Sequence, residues 1–153
     1  MHDGNGYFQT GMTLIEVLIS LLIVAIGLLG AAAVQLNALK YTDSAMLHSH
    51  ASFAAYDILD RIRANPDADY TLTSLAFAPT AGNLAVPRDQ DLFDFASHIS
   101  AVAGSNADAS IAVVGRAVEV SVTWNDSRAT NTTEDLQTFT LRSRVAVDRL
   151  VQP

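Results

Sequence analysis

Glu16 is the only ionisable side chain between Met12 and Leu39, and it stands at the leading edge of a run from Val17 to Val34 that holds no charge. The chemistry open to such a carboxylate is pairing. A lone acid in an apolar span costs of order 2–3 kcal/mol at mid-bilayer, and residues of this kind are usually functional. If the chain is cut after Gly11, Met12 acquires an α-amino group with an ordinary pKa of about 8, a cation four residues from Glu16. That amine can neutralise Glu16 of its own chain, or Glu16 of a neighbour one step along a helical assembly, and pairing removes the penalty of a buried lone charge. The other reading of Glu16 is that it snorkels to the headgroup region with no partner.

Other groupings with chemical potential are sparse. His48 and His50 are two apart, so on a helix they face different directions and read as exposed, while His98 and His2 stand alone. Asp89, Asp91 and Asp94 lack the glycine and terminal glutamate of a calcium loop and read as a solvated helix start. No HExxH, GxSxG or glycine-rich phosphate loop is present, so neither an enzymatic activity nor a cofactor is expected. Asn125-Asp-Ser and Asn131-Thr-Thr match a glycosylation sequon, a common chance pattern.

The elements that position Glu16 follow from hydropathy. Half of the residues are apolar and 16% are charged, the balance of a globular domain carrying a membrane-grade segment. From Met12 to Leu39, at about 1.5 Å per helical residue, the chain can cross a hydrocarbon core of ~30 Å. Gly27, Gly30 and Ala31 to Ala33 would let a second helix approach closely, although glycine is also frequent in ordinary membrane helices. A secretory signal is the rival reading, with Ala31 to Ala33 as its small-residue cleavage site. The run is longer than such a signal core, lacks a basic flank and contains an acid.

Gly11-Met12-Thr13-Leu14-Ile15-Glu16 followed by an apolar helix resembles the N-terminus of type IV prepilins and type II secretion pseudopilins. The resemblance implies a leader over 1–11, cleavage between Gly11 and Met12, N-methylation of Met12, and an assembly salt bridge from Glu16. Gly27 and Gly30 then serve helix packing in a transmembrane and polymerisation helix over 12–39. The sequence departs from the pattern in having Met12 where phenylalanine is commoner, no Lys or Arg before Gly11, and no proline in the apolar segment. Flanking charge does not set the orientation, so the cytoplasmic leader and outward C-terminal head follow from the resemblance alone. The implied partners are a prepilin peptidase/methyltransferase, other major and minor pilins, an inner-membrane assembly platform and membrane lipid.

Beyond the span, residues 40–153 read as an α+β pilin-like head. Leu47, Ala51, Ala54, Ile58 and Ile62 recur at helical spacing, so an amphipathic helix over 44–64 packs one face on a core and stops at Asn65-Pro66. Asp57 with Arg61, and Asp60 with Arg63, are spaced to pair on its outer face. The segment Asp57 to Pro66 and the Val-Thr-Trp-Asn ending at Asn125 resemble PilV-type minor pilins, the type IV pilus modification proteins. Residues 67–91 read as a loop, and Asp91 to Ala103 as a short helix with Asp91 as N-cap and Gly104 as stop.

Three strands complete the head: Ser110 to Val114, Ala117 to Trp124 and Gln137 to Val147, the first two joined by Gly115-Arg116 as a tight hairpin turn. The expected fold is therefore α+β, a long N-terminal helix laid on a small antiparallel sheet.

A net charge of -7, with no cluster of three basic residues, argues against a nucleic-acid partner. The absence of cysteine leaves packing alone to hold the head. A minor pilin that supports pilus biogenesis is the leading expectation, located in the inner membrane before assembly and on the pilus after it. The alternatives are a type II secretion minor pseudopilin and a non-polymerising, single-pass membrane-anchored binding or adhesion domain.

Overall fold

The computed structural model describes residues 13–127 and 135–145. Its elements, in chain order, are α1 (Leu14–Ala64), a 3-10 turn (Leu75–Phe77), α2 (Pro87–Ala103), β1 (Asp108–Val114), β2 (Ala117–Asn125) and β3 (Leu136–Arg144). The chain divides into two units, Met1–Leu39 and Lys40–Pro153.

In the first unit the backbone is helical from Leu14 onward, with no break at Gly27 or Gly30. Leu and Ala are strong apolar helix formers, Ile and Val are compatible with a helix, and no proline interrupts the hydrogen-bond ladder. The helix is long and apolar enough to cross a membrane.

The second unit is α+β. Ala51, Ala54, Ile58 and Ile62 are buried as the helical spacing predicts, joined by Ala55 and Leu59, and Leu47 is half-buried against them. This face of α1 shares one hydrophobic core with the inward side of the sheet, where Val118, Val120, Val122 and Trp124 of β2 alternate with half-buried polar residues. Leu92, Phe95 and Ile99 of α2 close the same core.

The sheet is an antiparallel meander in the order β1-β2-β3. Val120 lies between Ile111 and Leu141, and Val122 between Ala109 and Phe139, which sets the apolar register. The outer face carries the polar cross-strand pairs Ser121–Thr140 at 3.1 Å and Thr123–Thr138 at 3.0 Å. Gly115 takes φ +60°, the left-handed conformation the two-residue turn requires.

Three local expectations shift. α2 begins at Pro87 rather than Asp91, with Val86 extended before it (φ -125°, ψ 91°). Proline suits the first helical position because its missing N–H has no intrahelical partner there. Asp91 therefore lies inside the second turn and does not cap the helix. β3 runs from Leu136 to Arg144, and Val147 lies outside the described residues. The stretch expected to be a plain loop contains a 3-10 turn capped by Ser74 and a β-bridge, in which Leu72 and Ile111 exchange hydrogen bonds of 2.9 and 2.7 Å. Gly104, at φ 87°, does stop α2.

Candidate functional site

Glu16 sits in the first turn of α1 and is exposed. Thr13 precedes the helix, and its carbonyl accepts from the amides of Glu16 and Val17 at 3.0 and 3.3 Å. The Thr13 hydroxyl oxygen accepts a further bond from the Glu16 amide at 3.4 Å. Thr13 is thus the N-cap and Glu16 the third helical residue, half of a Thr-x-x-Glu capping box. A carboxylate there also faces the positive end of the helix dipole. The signal was present in the sequence as the three-residue spacing of Thr13 and Glu16; the bond uses the Glu16 backbone amide, and the helix dipole is the local reason for its carboxylate that does not depend on an amine. Gly11 and Met12, the expected cleavage and methylation positions, lie outside the described residues.

Gly27 and Gly30 stand three apart on α1, and a Cβ built on either meets nothing within 4 Å. The flanking apolar side chains are exposed, Ile26 at 62% and Leu29 at 72%, so no contact described for this chain uses that surface. An exposed surface of this composition is stable in lipid or against another helix.

Residues 8–32 match the profile described as the prokaryotic N-terminal methylation motif. The chain carries a prepilin-type signal. The match takes in Gly11, Met12, Glu16, Gly27 and Gly30, and it supports a pilin-like or pseudopilin precursor processed by a peptidase and anchored in a membrane. No curated protein and no solved structure matches the chain.

The head holds a polar cluster that short-range sequence patterns do not reveal. Arg61 pairs with Asp57 at 2.8 Å and Arg63 with Asp60 at 2.7 Å, as their spacing predicts. Arg61 also reaches across to α2, donating to Asp91 at 2.8 Å and Asp94 at 3.4 Å. The second oxygen of Asp91 accepts from the hydroxyl of Tyr70 at 2.7 Å, and that hydroxyl accepts from Asn65 at 3.4 Å. Asp91 thereby ties the end of α1, the segment after it and α2 together. The hydrogen bond to Asp91 raises the pKa of the Arg61 guanidinium, against the opposing effect of burial and with help from Asp57. The bond from Thr71 lowers the pKa of Asp69 on the surface.

Burial, reinforced by the bond to Asp91, pushes the Tyr70 hydroxyl above its ordinary value. A group whose folded-state pKa exceeds its unfolded value contributes stability that is complete below the unfolded value, about 10 for tyrosine, and lost as pH rises through the folded one. Tyr70→Phe is expected to cost about 1 kcal/mol near neutrality through the lost bond and to flatten the alkaline loss of stability. Urea unfolding of both proteins between neutral pH and pH ~11 checks it.

His48 is exposed as expected, whereas His50 is half-buried. His48 nonetheless packs edge-on against Trp124 and Phe139, with ring centroids 6.0 and 5.4 Å away. His98 does not stand alone: its ring lies 6.1 Å from that of His50 on α1. Among the described residues no group of three His, Cys, Asp or Glu converges as a metal site.

Proposed function

We propose that this chain is a minor type IV pilin of the PilV type and not an enzyme. A peptidase trims it after Gly11 and methylates Met12, and the N-terminal helix then carries it into a pilus or its initiating complex. The observation that carries this reading is the methylation motif over residues 8–32 running into an apolar helix with one acid in its first turn. Helix packing is the mechanism. Before assembly the apolar surface of residues 17–34 faces lipid; on assembly it faces the helices of neighbouring pilins delivered by the inner-membrane platform. The head, outside the membrane, holds its shape through its own core.

Mass spectrometry of the protein from cells with an intact peptidase tests the processing step. The expected N-terminus is N-methylated Met12, and recovery of the protein with residues 1–11 still attached overturns the reading. Assembly is tested at the glycines. Because a Cβ added at Gly27 or Gly30 meets nothing within 4 Å, Gly27→Leu with Gly30→Leu should leave membrane insertion and protein level unchanged. Incorporation into sheared pili, read by immunoblot, should fall at least tenfold. Unchanged incorporation would show that this helix surface faces only lipid.

A further inference from the structure

His50 and His98 come from different helices and from positions 48 residues apart in sequence, yet their ring centroids lie 6.1 Å apart with the planes tilted by 53°. His50 is half-buried and His98 exposed, so one ring is held by packing and the other is free to adjust. Both histidines line a small, partly open crevice with Leu47, Ala51, Ile99 and Trp124. His98 also rims an open groove of about 300 Å³ that carries Asp57, Asp94 and Arg61.

We infer that His50 and His98 form a two-imidazole site for a divalent late first-row metal, Zn²⁺ or Cu²⁺, that clips α1 to α2. A metal held about 2.0–2.1 Å from one nitrogen of each ring in a tetrahedral arrangement brings the centroids to roughly 5 Å. That is about 1 Å closer than they stand here, a movement within reach of the exposed His98 side chain by a small χ rotation. Imidazole nitrogens select zinc, copper and nickel over magnesium and calcium, which seek oxygen ligands. Asp94, one turn before His98, is already bonded to Gln90 at 2.8 Å and to Arg61, so the remaining coordination positions belong to water. The carboxylates of the groove raise the local cation concentration without entering the first coordination sphere. A clip between the two helices is a staple of a kind open to a head without cysteine. The site is independent of whether the chain polymerises.

The test uses the full chain, without a histidine tag, in detergent micelles. Titration with Cu²⁺ followed by electron paramagnetic resonance should give one nitrogen-coordinated ion per chain. Zn²⁺ at saturating concentration should raise the melting midpoint by about 4 °C or more. His50→Gln and His98→Gln should each weaken Cu²⁺ binding at least tenfold, remove the zinc shift and leave the metal-free midpoint unchanged, whereas His48→Gln should retain both. Binding that survives His50→Gln or His98→Gln, or no bound copper at millimolar concentration, overturns the assignment.

Discussion

Trp124→Ala is expected to lower the stability of the head by about 3–5 kcal/mol, the usual cost of removing a large buried aromatic ring. Trp124 is 2% exposed near the end of β2, where α1 and α2 meet the sheet, and it lines the same crevice as Leu47, Ala51 and Ile99. Small domains are stable by about 5–15 kcal/mol, and no disulfide limits the unfolded chain here, so a loss of this size is a large share of the total stability. Its polar edge works the other way. The indole Nε1 is buried and finds no hydrogen-bond partner among the described residues. An unmet buried donor costs about 1–3 kcal/mol, and phenylalanine removes it while keeping most of the ring. Trp124→Phe is therefore expected to lose less than about 1.5 kcal/mol. Urea unfolding of the full chain in detergent, followed by circular dichroism because Trp124 is the only tryptophan, separates the two. A phenylalanine variant as unstable as the alanine one would mean that the N–H is satisfied.

The same residue shows what was legible beforehand. Val118, Val120, Val122 and Trp124 alternate with Glu119, Ser121 and Thr123, and a period of two in a half-buried strand states its own inward face. The helical stripe from Leu47 to Ile62 and the Gly115 turn were legible for the same reason: each is a local rule read over a few residues. The features that were not legible are long-range. Asp91 looked like a helix cap because a cap and a mid-helix ion-pair partner are the same residue type, and only the fold brings Arg61, 30 residues earlier, to it. Pro87 marked the true start of α2, but a proline among Gly82, Asn83 and Ala85 reads equally well as part of a loop. Tyr70, fully buried, and Leu72, bridged to Ile111, lie in a stretch whose order comes from its partners and not from any period of its own. His50 and His98 belong to this group, since a spacing of 48 residues carries no signal. At the N-terminus the methylation motif was legible because its residues, Gly11, Thr13 and Glu16, lie close together in sequence.

That closeness also means that two physical roles compete for Glu16, and one series of substitutions divides them. As the third residue of a helix capped by Thr13, Glu16 gives its backbone amide to the Thr13 hydroxyl and places its side chain where a capping box takes glutamine nearly as well as glutamate. As the counter-ion of a methylated amine on a neighbouring subunit, it serves only while charged, and glutamine fails. In the reading proposed above, Glu16→Gln and Glu16→Ala should both leave insertion and cleavage after Gly11 intact. Both should also cut incorporation into pili at least tenfold, because the neighbour's amine is then left in an apolar assembly without its carboxylate, a loss of about 3–5 kcal/mol for a broken buried pair. Glu16→Asp keeps the charge one methylene short and should retain part of the incorporation. Counting the protein in sheared pili against a membrane-fraction control reads all three variants. If the glutamine variant assembles like the native protein while the alanine variant does not, capping is sufficient and the intersubunit ion pair is refuted.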